Sequence, residues 1–258
     1  MIERLQYIKR EPRTILDLGG ASGHAIGPLR LRYPSAHIIE MDMALQMVRA
    51  ARARLPWWRR GSLPLVEAAA GYVCADADRL PIKGGSLGMV WSNLYFPYFD
   101  LGRIFAEAHR VLEPGGVLMF STLGPDTLKE LRFACSGMDN YPHVGEFTDL
   151  HDVGDALVEQ GFAAPVMDME MITITYNSVQ LIAQDLKALG ARNVHKNRQR
   201  GLLSPSRWQA MVERYESLRL DGTLPASCEV IYVHAWKPEP RARTSADGRK
   251  VIEVKVRR

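Results

Sequence analysis

Cysteine is scarce in this 258-residue chain: Cys74, Cys135 and Cys228 are the whole complement. Three widely separated thiols build no disulfide framework and lack the close spacing of a metal site, so no metal is expected. Each is expected to be a small buried side chain in a reduced, cytoplasmic setting. No apolar run approaches the roughly 20 residues needed to cross a bilayer. The N-terminus, Met1-Ile2-Glu3-Arg4-Leu5, lacks the basic-then-apolar order of a secretory signal. Aromatic residues are few, at 8%, and no basic stripe is interleaved with them, which argues against a nucleic-acid surface. Excess positive charge is also missing from most of the chain. The formal net charge is +4, but residues 237–258 carry eight Lys/Arg against three Asp/Glu, so the body before them is slightly acidic. That tail opens rich in proline and ends in Lys250-Val251-Ile252-Glu253-Val254-Lys255-Val256, which alternates like a strand. It reads as a basic arm or an added edge strand.

What is present is a rhythm. Apolar runs at Thr14–Leu18, His37–Asp42, Tyr72–Ala75, Leu87–Ser92 and Gly116–Thr122 predict strands. Helical stretches lie between them near Ser22–Arg32, Met43–Arg54 and Leu101–Leu112, and Pro114-Gly115-Gly116 stops the last of these. Leu55–Ala70, with two prolines and two tryptophans, reads as an ornamented loop. Such alternation predicts an α/β fold, a doubly wound and mostly parallel Rossmann-like sheet. Further helices are expected from Pro125 to about Cys135 and over Asp149–Gln160, Val179–Leu189 and Ser206–Leu218, with strands at Val166–Tyr176 and Cys228–Trp236. Residues 1–236 read as one domain, with lid-like helical material over about 177–222 before the last strand.

The first predicted strand empties into Gly19-Gly20-Ala21-Ser22-Gly23 behind Asp17. This is not the dinucleotide fingerprint G-x-G-x-x-G, because Ala21 and His24 stand where glycines belong. It resembles motif I of S-adenosylmethionine (SAM) methyltransferases. Ligands of open α/β sheets lie beyond the carboxyl ends of the strands, and three acids fall there: Asp17, Asp42 and Asp76. Asp42, about 20 residues beyond the loop, suits ribose hydroxyls. Asp76, next to Ala77, suits an adenine amine. Met43 and Met47, four apart on one predicted helix, either cover the adenine or join the core. Asn93 and Leu94 sit at the end of the fourth strand, where the methionine end of SAM is expected.

Later segments narrow the family. Trp91-Ser92-Asn93-Leu94, Phe120-Ser121-Thr122-Leu123-Gly124-Pro125-Asp126-Thr127-Leu128-Lys129-Glu130-Leu131-Arg132, Pro142-His143-Val144 with Phe147, His151-Asp152-Val153-Gly154-Asp155-Ala156-Leu157 and His234-Ala235-Trp236-Lys237-Pro238 resemble the malonyl-[acyl-carrier protein] O-methyltransferases of biotin synthesis, over about residues 10–238. Two departures stand out. Ala21 replaces a glycine of motif I. Asn93-Leu94-Tyr95-Phe96-Pro97-Tyr98 is one residue shorter than the family's N-L-x-x-Q-W stretch, leaving Tyr98 or Phe96 in place of its tryptophan.

The resemblance implies methyl transfer from SAM to the free carboxylate of a malonyl thioester. Arg132 is the leading clamp for that carboxylate, on one helical face with Lys129, and His143 and Tyr95 are further candidates. Arg192-Asn193-Val194-His195-Lys196-Asn197-Arg198-Gln199-Arg200 is the one concentrated basic stretch of the body, and its charge suits an acidic carrier protein. Docking is assigned to Arg192, Lys196, Arg198 and Arg200. Three rivals share parts of the pattern: a SAM methyltransferase of small acids or quinone precursors, a hydroxylase-type assembly protein sharing D-T-L-x-E-L-R, and a scaffold that no longer binds cofactor. Calorimetry with SAM separates the last from the rest.

Overall fold

The structure is a computed structural model that describes residues 1–55, 70–191, 193, 195–199, 201 and 203–240. Seven strands, β1 (Thr14–Leu18), β2 (His37–Asp42), β3 (Gly71–Cys74), β4 (Leu87–Asn93), β5 (Leu112–Leu123), β6 (Ala163–Tyr176) and β7 (Leu224–Trp236), form one sheet in the order β3-β2-β1-β4-β5-β7-β6. The first five run parallel. β7 runs antiparallel between β5 and β6. Strand order reverses between β1 and β4, so a ligand crevice is expected at their carboxyl ends.

Apolar runs make the central strands, because a parallel sheet covered on both faces buries every position. Leu87 through Ser92 are all buried. On one face Ile15, Ile38, Met89 and Trp91 meet Ile26 and Leu29 of α1 (Ile26–Arg32) together with Leu5 and Ile8. On the other, Leu16, Leu18 and Leu118 meet Ile104 and Phe105 of α3 (Leu101–Val111) and Val153 and Leu157 of α5 (Leu150–Glu159). Asp100 starts α3 by accepting from the amides of Gly102 and Arg103. α2 (Leu45–Arg54) follows β2. Edge strand β6 is exposed along most of its length, and Asp168 and Glu170 discourage further pairing there.

A third cluster joins α4 (Lys129–Cys135), α6 (Val179–Ala188) and α7 (Pro205–Glu216) through Ala134, Ile182, Met211 and the fully buried Tyr215. Two buried acids tie this layer to β7. Glu130 accepts from the amide of Ser227 at 3.0 Å and its hydroxyl at 2.5 Å. Glu229 accepts from the amide of Asp126 at 2.7 Å.

Several boundaries differ from expectation. α1 starts at Ile26 rather than near Ser22, because Ala21 (φ 49°) and Gly23 (φ 77°) take left-handed conformations. α2 starts at Leu45 after an extended Ala44, so Met43 and Met47 do not share a helix. α4 starts at Lys129, because Leu128 is left-handed (φ 54°). β5 begins at Leu112 and runs through Pro114 and Gly115, with a register shift against β4. Of the three thiols Cys135 alone is buried, and Cys74 is exposed. The segment 56–69, expected as a loop, and the residues from Arg241 onward lie outside the described residues, as do Arg192 and Arg200. Among the described residues no helix is long and apolar enough to cross a membrane.

Candidate active site

The ligand site expected at the switch point centres on the β1–α1 loop. The amides of Gly19 and Gly20 donate to the carbonyl of Met41, at 2.8 and 3.1 Å, tying the end of β1 to β2. Gly19 has φ 74°, and a Cβ there would lie 2.2 Å from the Tyr95 ring. A Cβ on Gly20 would lie 2.1 Å from Glu40 Oε1 and 2.8 Å from Asp17 Oδ2. Both positions exclude a side chain. Ala21 bears its left-handed backbone without glycine's freedom. It is exposed, and its amide donates to Asp42 Oδ2 at 3.2 Å.

Asp42 is 7% exposed and also accepts from the amide of Ala44 at 2.8 Å. Asp17 is buried, yet its Oδ2 has no hydrogen-bond partner among the described residues. The same holds for both oxygens of the fully buried Glu40 and for the indole nitrogen of Trp91. Burial pushes the Glu40 carboxyl far above the ordinary carboxylate range, and the neighbouring Asp17 charge adds to it. Burial also raises Asp17, by less, since its contact with Glu40 pulls the other way.

Tyr95 stands on this side of the site rather than with the substrate clamp. Its ring covers Gly19 and stacks near Phe99, with centroids 4.5 Å apart. Its buried hydroxyl has no hydrogen-bond partner among the described residues. Burial first, then the charges of Asp42, Asp76 and Asp78, push it up to about 12. Phe96 is core, against Phe105 and Phe120, and so replaces no substrate-facing tryptophan. The side chain of Tyr98 lies outside the described set.

The remaining cofactor candidates sort by exposure. Asp76 is exposed, and its Oδ1 accepts from the amide of Asp78 at 3.1 Å, beside the buried Ala77. Met43 and Met47 are 54% and 44% exposed, so neither is core. Asn93 Oδ1 accepts from the Ser121 hydroxyl at 2.8 Å, and Leu94 takes φ 55° as the chain leaves β4. Buried acids short of donors, a backbone cradle that admits no Cβ, and exposed thioethers together fit a ligand carrying a cationic amino acid, ribose hydroxyls and an adenine.

The expected carboxylate clamp forms a second centre. Arg132 is exposed, and its guanidinium donates to the carbonyls of Pro125 (2.9 Å) and Thr127 (3.4 Å), at the start of its own helix. Lys129 pairs with Asp126 at 3.3 Å. His143 Nε2 lies 2.9 Å from Asp139 Oδ1, and Arg207 approaches that carboxylate at 3.6 Å. Arg132 and His143 border one depression of about 360 Å³. His143 also borders a groove of about 400 Å³ walled by Pro97, Leu131, Val144 and Leu186. Lys196 and Arg198 are exposed, and Arg198 lines a further hollow with Pro142 and His143.

Sequence reading missed Glu40, Glu130, Glu229 and Asp139. Glu40 had a signal, as an acid inside an apolar strand. The two glutamates of the β7 seam had none, because their partners lie about a hundred residues away in sequence.

Residues 16–120 match the methyltransferase domain family. The chain is 47% identical over 260 residues to a malonyl-[acyl-carrier protein] O-methyltransferase of Gallionella capsiferriformans, covering 98% of this chain and 86% of the relative. It is 48% identical to the enzyme of that name from Laribacter hongkongensis, with the same coverage. In fold it is similar to a putative methyltransferase from Bacillus halodurans, at TM-score 0.63 and 16% identity over 92% of this chain and 98% of that one. Near-half identity over nearly the full length, with the motif-I loop in place, makes the chain a member of the malonyl-[acyl-carrier protein] O-methyltransferase family.

Proposed function

We propose that the protein transfers the methyl group of SAM to the free carboxylate of a malonyl group carried on an acidic acyl-carrier protein. The observation that carries this reading is the buried Asp17, whose Oδ2 meets no donor among the described residues, near Asp42 at a glycine loop on the sheet's switch point. When bound, SAM supplies a sulfonium methyl that a carboxylate oxygen can take.

Asp42 accepts from the ribose hydroxyls and Asp17 faces the ammonium group. Asp76 and the exposed Met43 and Met47 border the adenine. Asn93 and Leu94, fixed by Ser121, shape the methionine end. No general base is needed, since a free carboxylic acid with a pKa near ~4 is already ionised. The task of the chain is alignment, which brings the reacting atoms to about 3–3.5 Å and avoids a bimolecular encounter. Arg132 and His143 hold the malonyl carboxylate from the neighbouring depression, with Arg132 exchanging its bonds to Pro125 and Thr127 for the substrate. Apolar walls at Leu131, Val144 and Leu186 exclude water along the groove and suit a thioester arm. α6 and α7 act as the lid side of that groove. Lys196 and Arg198 at its margin meet the acidic carrier, together with Arg192 and Arg200. The neutral ester no longer pairs with Arg132, which favours release.

The test is direct. Incubation with SAM and malonyl-carrier is expected to add one methyl group to the carrier by intact mass, as a base-labile ester, and a succinyl-carrier is expected to react far more slowly. Unmodified malonyl-carrier, with SAM binding intact, would refute the assignment of substrate.

A further inference from the structure

We propose that Glu40 is a positioning residue of the cofactor site: as a neutral carboxylic acid it donates a hydrogen bond to Asp17 and fixes the carboxylate that meets the ammonium group of the methyl donor. This rests on the SAM reading of the site.

Three observations support it. Glu40 stands opposite Asp17 in the parallel register of β1 and β2, so the two side chains leave the same face of the sheet. Both converge under Gly20, where the position of an absent Cβ is 2.1 Å from Glu40 Oε1 and 2.8 Å from Asp17 Oδ2. Neither Glu40 oxygen has a donor among the described residues, although Glu40 is fully buried. The other buried acids of the fold differ: Asp42, Glu130 and Glu229 each accept from backbone amides. Two adjacent buried carboxylates cannot both ionise without large cost, and one proton between them removes it.

The titratable groups around Glu40 reinforce this. Asp17 faces it from β1, Asp42 follows on β2, and Tyr72 stands opposite on β3, while α1 covers this face with Ile26 and Leu29. None of these supplies a positive charge. The proton therefore resides on Glu40, neither of whose oxygens meets a donor among the described residues, leaving Asp17 anionic and oriented.

The experiment measures S-adenosylhomocysteine affinity by calorimetry at about pH 7 and about pH 9, with thermal unfolding of the ligand-free protein over the same range. Glu40→Gln, which imitates the neutral acid, is expected to stay within about threefold of wild-type affinity, while Asp17→Asn loses about tenfold or more. Wild-type affinity falls at the alkaline end as Glu40 ionises, and Glu40→Gln lacks that fall. Glu40 holds its proton in the folded chain and loses it in the unfolded one, so wild-type stability declines from the carboxylate range upward. The melting temperature of Glu40→Gln is thus expected to rise relative to wild type as pH rises. Parallel melting curves, or a Glu40→Gln loss equal to that of Asp17→Asn, would overturn the inference alone. Wild-type protein that binds no S-adenosylhomocysteine would overturn the SAM reading and the positioning role with it.

Discussion

Two sets of buried acids divide this molecule. At the seam between α4 and β7, Glu130 and Glu229 are fully engaged by amides and a hydroxyl of the protein itself. At the glycine loop, Asp17 and Glu40 are as deeply buried and stand without such donors. An acid whose hydrogen bonds are all internal holds elements together. An acid left short of partners is costly to the fold, and its retention points to a ligand that completes it. The segment that resembles the family most specifically, from Phe120 to Arg132, is therefore in large part an architectural seam, and the less specific first half holds the proposed cofactor site.

The contrast is sharpest where one acid of each kind is removed. Glu130→Ala leaves the amide and hydroxyl of Ser227 unpaired in the interior, and is expected to cost about 3 kcal/mol in urea unfolding. The folded fraction should still bind SAM normally. Asp17→Asn should do the reverse. It weakens SAM by about 2 kcal/mol, roughly thirtyfold by calorimetry, and leaves the unfolding midpoint little changed. If both substitutions moved stability and affinity together, the division would fail.

Arg132→Ala tests the second centre. It is expected to raise the KM for malonyl-carrier about tenfold while SAM affinity stays put, because one charge-assisted contact is lost. The smallest effect belongs to Ala21. Its left-handed backbone costs an L-residue about 1 kcal/mol, so Ala21→Gly should raise stability by somewhat less, given the greater freedom of glycine in the unfolded chain. A loss of stability there would mean that the Ala21 methyl makes a contact that outweighs the strain.

How much of this could be read from sequence follows from the range of the interactions. The parallel strands were legible because double-sided burial writes itself as continuous apolar runs, and β1 and β2 have the bounds expected of them. Helix starts were less legible. Ala21 and Leu128 adopt left-handed backbone, which no local residue preference announces, and both helices begin four residues later than expected as a result. Asp17 and Asp42 lie at the carboxyl ends of β1 and β2 beside the glycine loop, as the strand pattern dictates. Tyr95 was misplaced, since its ring turns back over Gly19 from a loop whose path depends on the packing of Phe96 in the core. The partners of Glu130 and Glu229 are tertiary, so a sequence pattern could mark the segment but not explain it.

The most direct test is titration of the purified protein with S-adenosylhomocysteine near neutral pH. Saturable one-to-one binding, weakened by Asp42→Ala and untouched in the folded fraction of Glu130→Ala, is the expected result. Heat traces indistinguishable from buffer, on protein that melts cooperatively, would contradict a site built to grip a methyl donor through carboxylates at the strand ends.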